Sequence, residues 1–109
     1  MNRSYLMKTG ETQTTVARWA QETFGEVPSV LAVAIRANTE MAELLKELLI
    51  DDKSPKALEE IADVFIVLYR AASLLGGDVY EAIDRKMAIN RAREWDLDGK
   101  GQGYHVRHK

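Results

Sequence analysis

The chain has 109 residues, 46% apolar and 29% charged, with two prolines and a formal net charge of -2. That is the size of one domain, with a balance that suits a soluble helical protein, argues against disorder and leaves no electropositive footprint for nucleic acid. There is no cysteine, which excludes disulfides, thiolate metal sites and a cysteine nucleophile. No apolar run reaches the roughly 18 residues of a membrane span, and residues 1 to 10 are too polar for a signal peptide, so no membrane partner and a cytoplasmic location are expected. A core of this size is modest, which makes oligomerisation a reasonable expectation.

Residues 1 to 10 lack a clear period and read as a loosely ordered arm. Thr12 is placed to cap a first helix through Val16, Trp19, Ala20 and Phe24, with Gly25 to end it. Pro28 suits the first turn of a second helix. In that helix Leu31, Ala34, Ile35, Ala42, Leu45, Leu48 and Leu49 form an apolar stripe, edged by Glu40, Glu43 and Glu47, so the acids are expected to border the core. The segment Asp51-Asp52-Lys53-Ser54-Pro55 reads as a break, with Ser54 as cap and Pro55 as first residue of a third helix. So short a connection makes the flanking helices antiparallel neighbours. Ile61, Val64, Phe65, Leu68, Ala72 and Leu75 pattern the third helix, and Gly76-Gly77 stops it. Asp78 and Glu81 make a capping box for a fourth helix with Val79, Ile83 and Met87 on its apolar side. From Trp95 the glycines and charges read as a loop. The expected fold is all-α: a four-helix protomer with an antiparallel central pair, its domain at 11–94 between an arm at 1–10 and a tail at 95–109.

Two acidic signatures carry the functional reading, Glu40-Met41-Ala42-Glu43 and Glu60-Ile61-Ala62-Asp63. Residues three apart share a helix face, so each signature offers two carboxylates side by side, and antiparallel packing lets all four converge. Taken singly, Glu-x-x-Glu is common on solvated helix faces. Two such pairs on adjacent helices call instead for a cation, because like charges held together are costly. The two histidines, His105 and His108, lie in the last five residues, away from any Glu-x-x-His pattern. Oxygen-only ligation selects a hard ion, Mg²⁺ or else Mn²⁺, and Mg²⁺ usually shares its shell with substrate phosphates. Phosphoryl chemistry with an activated water follows, and Glu47, one turn beyond Glu43, is a candidate to orient that water or act as its base. Lys86, Asn90 and Arg93 fall on one line of the fourth helix and offer donors for phosphate or sugar. Trp19 or Phe24 is either core or a stacking platform for a base.

Glu40-x-x-Glu43, then Glu60-x-x-Asp63 within Glu59-Glu60-Ile61-Ala62-Asp63-Val64, then Lys86-x-x-x-Asn90-x-x-Arg93, resembles the MazG-type all-α nucleoside triphosphate pyrophosphohydrolases over roughly residues 16 to 95. Thr39 stands where many members carry a further acid. The resemblance implies Mg²⁺-dependent cleavage of a (deoxy)nucleoside triphosphate between its α and β phosphates, giving monophosphate and pyrophosphate, in a house-cleaning or pool-balancing role. It implies Glu40, Glu43, Glu60 and Asp63 as metal ligands and Lys86, Asn90 and Arg93 as nucleotide contacts. It also implies a helical protomer in a homodimer or homotetramer. The C-terminal portion, from Asn90 through Val106, resembles tails of phage and bacterial relatives that act on deoxypurine triphosphates. Alternatives are a phosphoribosyl-ATP pyrophosphohydrolase and, from another class, a non-catalytic helical dimerisation or binding module. A nucleic-acid binder ranks last, since the acidic centre repels a phosphate backbone.

Overall fold

A computed structural model of the chain describes residues 10–107. The arm expected at 1–10, apart from Gly10, and His108 lie outside the described residues. Helix α1 is Gln13–Phe24. Its first turn is closed by a reciprocal pair: Thr15 N–H donates to Thr12 Oγ1 at 3.2 Å, and Thr12 N–H donates to Thr15 Oγ1 at 2.8 Å. Two amides that the helix leaves unpaired are thereby satisfied. Gly25 ends it at φ 77°, a left-handed conformation open to glycine at little cost.

Helix α2 is Val30–Ile50. Its cap is Ser29, whose Oγ accepts from Ala32 N–H at 3.1 Å, so the start expected at Pro28 is corrected by two residues. A hydroxyl in extended backbone completes the first turn, which proline, lacking an acceptor side chain, cannot do. Helix α3, Ala57–Leu74, likewise starts later than Pro55. Ser54 does not cap it but is spent in the turn before it, accepting from Lys56 N–H at 3.2 Å and donating to Glu47 Oε1 at 2.6 Å. Residues 51–56 fold α3 back antiparallel to α2, the most extensive helix pairing, and α1 packs on α3. After the turn at Gly76 and Gly77, helix α4 runs Val79–Ala92.

The loop expected from Trp95 onward is corrected: beside the helical frame it holds a short antiparallel hairpin. Trp95–Leu97 (β1) and Gly103–His105 (β2) pair antiparallel, with Trp95 opposite His105 and Leu97 opposite Gly103. Asp98 Oδ1 organises the connecting loop by accepting from Lys100 N–H at 2.7 Å and Gln102 N–H at 3.0 Å. Strands this short carry no readable period.

The described residues divide into two compact units, one through Val79 and one from Tyr80. The core of the first is made of Val16 and Ala20, Val33, Ala37 and Leu44, and Ala57 and Ala71. Buried Gln13 locks the start of α1 to the end of α3, its Nε2 donating to Ser73 Oγ at 3.0 Å and Gly77 O at 2.7 Å while Oε1 accepts from Val79 N–H at 2.7 Å. The apolar stripe expected to pack α2 points elsewhere: Leu31, Ile35, Leu45 and Leu49 are 51% to 87% exposed. Helix α2 has a second, narrower apolar face, Val33, Ala37 and Leu44, and this smaller face meets the rest of the protomer. On α3 the expected stripe splits, with Ile61 and Val64 half-buried and Phe65, Leu68 and Leu75 exposed. No described helix is long and apolar enough to cross a membrane.

Candidate active site

Because α2 and α3 run antiparallel, a position ten residues before the end of one meets the first two turns of the other. Glu40, Glu60 and Asp63 converge there, each offering one carboxylate oxygen, all within 4.8 Å of one another. Oxygens on opposite sides of one hard cation stand about 4–5 Å apart, so the donor set and its spread fit a divalent ion. Glu40 and Glu60 are half-buried and Asp63 is exposed. Burial raises the Glu60 carboxyl above its ordinary pKa first, and the charges of Asp63, Glu43, Glu40 and Glu47 add to it. The centre thus holds more negative charge than it can neutralise from within.

The fourth expected ligand, Glu43, is exposed and lies outside this trio, although its charge is felt at Glu60. Glu47 also lies outside the trio, held by the Ser54 hydroxyl. Arg36, which the sequence did not single out, bridges to Glu40 at 3.2 Å from the rim.

Glu40 and Asp63 form one part of the wall of a cleft of ≈ 420 Å³ between α1, α2 and α3. Trp19 and Phe24 form another part, their rings edge to face at 5.4 Å, and both are more than half exposed rather than core. The third feature is Arg70, 9% exposed, which the sequence reading missed. Its Nη2 donates to the carbonyl of Gly25, its guanidinium lies 6.0 Å from the Phe24 ring centroid, and its Nε is buried with no acceptor among the described residues. An unmet donor of this kind ordinarily costs about 1–3 kcal/mol. One signal was present in the sequence: between Asp63 and Asp78, Arg70 is the sole charged residue in an apolar run.

In the second unit, Lys86 and Asn90 lie on α4 and Arg93 just past its end, Lys86 exposed and the other two half-buried. Trp95 Nε1 donates to Asn90 O at 2.9 Å, and the His105 ring sits 6.3 Å from Trp95, edge to face. The His105 imidazole is pushed below its ordinary pKa by desolvation and then by Arg93, Arg107 and Lys86. The hairpin therefore brings His105 and Arg107 into the electropositive surroundings of the expected basic line.

Residues 12–109 match the family described as dATP/dGTP pyrophosphohydrolase. A dATP/dGTP diphosphohydrolase of cyanophage S-2L is 44% identical over 66 residues, 61% of this chain and 62% of that protein. Another, of Salmonella phage PMBT28, is 33% identical over 105 residues, 95% of this chain and 34% of that protein. The chain therefore spans less than two thirds of the length of these curated relatives. Among solved structures, a cyanophage S-2L MazG-like pyrophosphohydrolase bound to dGDP and three catalytic Mn²⁺ ions per active site has a TM-score of 0.59 and 33% identity, covering 89% of this chain and 91% of that one. The acid pairs, the helical frame and the match over nearly the whole sequence lead to one assignment: the chain belongs to the MazG-like dATP/dGTP pyrophosphohydrolase family.

Proposed function

We propose that the chain hydrolyses purine deoxynucleoside triphosphates between the α and β phosphates, releasing the monophosphate and pyrophosphate. The observation that carries this reading is the convergence of Glu40, Glu60 and Asp63 in the wall of a cleft that also presents Trp19 and Phe24. The names of the phage relatives and the dGDP bound by the S-2L protein support the substrate class. Glu40, Glu60 and Asp63, with Glu43 as the expected fourth acid on α2, would hold a divalent ion, which would supply electrophilic stabilisation of charge on the phosphoryl oxygens and lower the pKa of water. Mg²⁺ is the ion we assign, with Mn²⁺ as the alternative that the S-2L structure supports.

The chain's own residues do the rest. Trp19 and Phe24 stack against the base. Glu47 keeps Oε1 on Ser54 and has Oε2 to accept a proton from the attacking water. The new bond joins the water oxygen to the α phosphorus as the bond from that phosphorus to the bridging oxygen breaks, and pyrophosphate leaves with that oxygen. To Lys86, Asn90 and Arg93 we assign contacts to the nucleotide on the strength of the family resemblance, their side chains offering donors suited to phosphate or sugar.

A second copy of the chain covers the exposed faces of α2 and α3, giving a homodimer or a dimer of dimers. Leu31, Ile35, Leu45 and Leu49 on one helix and Leu58, Phe65 and Leu68 on the other are large apolar side chains left 42% to 87% exposed, the kind of surface that marks an interaction site when contiguous. The enzyme works in the cytoplasm, on the nucleotide pool. The test is turnover of each dNTP with Mg²⁺, with Mn²⁺ and with chelator, in the wild type and in Asp63→Ala. Metal-dependent turnover of dATP and dGTP that is lost in the variant is expected, and full turnover in Asp63→Ala would overturn the reading.

A further inference from the structure

We propose that Arg70 reads the Hoogsteen edge of the purine, its guanidinium donating to N7 of either purine and also to O6 of guanine. This rests on the function proposed above and adds the residue that selects the base. The starting point is an arginine 9% exposed in the cleft wall, with a hydrogen bond to Gly25 and a buried Nε that has no acceptor among the described residues. Buried polar groups in folded proteins are nearly always paired, so hydrogen-bonding capacity that no described residue uses, on a side chain lining the cleft, points to a ligand that meets the guanidinium there.

The placement fits. Asp63 and Arg70 are seven residues apart on α3, two turns along the same side of the helix, about 10 Å along its axis. That is close to the reach of a deoxynucleotide from its α-phosphate to the far edge of its base. With the phosphate at Glu40, Glu60 and Asp63, the base lies by Trp19 and Phe24, and Phe24 is the ring next to the guanidinium.

The chemistry selects among bases. Guanidinium offers donors only. Guanine presents two acceptors on its Hoogsteen edge, N7 and O6, whereas adenine presents N7 beside an amino group that is itself a donor. Pyrimidines have no N7. A ring stacked on Trp19 or Phe24 is accepted whatever its identity, so the arginine supplies what stacking cannot. The expected order is guanine over adenine, and both over cytosine and thymine.

The experiment is calorimetric binding of dGDP, 7-deaza-dGDP, dADP and dCDP in Mn²⁺, with wild type and Arg70→Met. Methionine keeps length and apolar packing while removing every donor. Wild type should bind dGDP about tenfold more tightly than 7-deaza-dGDP, the loss expected for a charged hydrogen bond. Arg70→Met should bind the two alike. Equal affinity of wild type for dGDP and its 7-deaza analogue overturns the inference, as does a difference that persists in the variant. The wild-type comparison decides alone if the variant does not fold. Preference for dGDP without hydrolysis of any triphosphate leaves Arg70 as the base reader and removes the enzymatic reading. Hydrolysis without the preference does the reverse, and no binding of any of the four nucleotides removes both.

Discussion

The hydroxyl of Ser54 donates to Oε1 of Glu47 at 2.6 Å, tying the last turn of α2 to the turn that leads into α3. Ser54 is buried, and the bond ends on a carboxylate, which makes it stronger than a bond between neutral groups. The same contact holds one oxygen of Glu47 and leaves the other for chemistry. Ser54→Ala should cost about 1–2 kcal/mol, lowering Tm by several degrees for a chain of this size. Glu47→Gln still accepts from Ser54, so it should keep Tm while turnover falls by about 10²–10⁴-fold, the scale of a lost general base. Thermal unfolding and kcat of the two variants separate the turn from the reaction; equal loss of kcat in proportion to lost stability would remove Glu47 from the chemistry.

Glu60 sets a pH dependence with a definite sign. Its carboxyl has a higher pKa in the folded chain than the ordinary 4.5, because burial and then the charges of Asp63, Glu43, Glu40 and Glu47 disfavour ionisation. The unfolded chain loses that proton first as pH rises, so folding stability falls between 4.5 and the raised folded value. Metal-free protein should therefore melt at lower temperature above this window than below it. Glu60→Gln should raise Tm in chelator and abolish the gain that Mn²⁺ gives the wild type, since a ligand of the folded state stabilises by mass action. Scanning calorimetry at several pH values, with chelator and with Mn²⁺, reads both effects.

Leu45 and Leu49 test the assembly. Each stands more than half exposed on the outer face of α2. If a second copy covers them, a charge at Leu45 loses about 1.5–3 kcal/mol of apolar burial and adds a desolvation cost. Leu45→Glu should therefore elute as monomer by light scattering where the wild type elutes as dimer or tetramer. A monomeric wild type contradicts the proposal directly.

The hairpin depends on Gly103. A Cβ there would stand 2.7 Å from the carbonyl oxygen of Asp96, closer than backbone tolerates. Gly103→Ala should unpair β1 from β2 while the helical circular dichroism signal persists. Proton NMR of His105 gives the readout: in the wild type it titrates below 6.5, and in the variant it returns toward that value. Because the folded value is lowered, the stability tied to His105 is present above 6.5 and lost as pH falls through the folded pKa.

The helices were legible because period and caps agree: Thr12 and Gly25 mark ends that the chain adopts, and the apolar spacing marks where the helices run. Period tells which side chains share a face, but not what that face meets. On α2 the wider stripe of Leu31, Ile35, Leu45 and Leu49 drew attention from the small face of Val33, Ala37 and Leu44 that packs. The prolines misled by two residues each because hydroxyls at Ser29 and Ser54 took the bonds that set the turns. In the site, the acid pairs were readable from spacing alone. Glu43 falls outside the trio although it has the same spacing from Glu40 as Asp63 has from Glu60, because spacing does not say how each helix is turned toward its neighbour. Arg70 was hidden because its significance lies in being buried without an acceptor, which only packing defines.

The most direct test is product analysis after hydrolysis of dGTP and dATP in ¹⁸O-labelled water with Mg²⁺ or Mn²⁺. Attack at the α phosphorus predicts monophosphate and pyrophosphate in equal amounts, with the label in the monophosphate. Release of orthophosphate with a deoxynucleoside diphosphate, or label in the pyrophosphate, would contradict it.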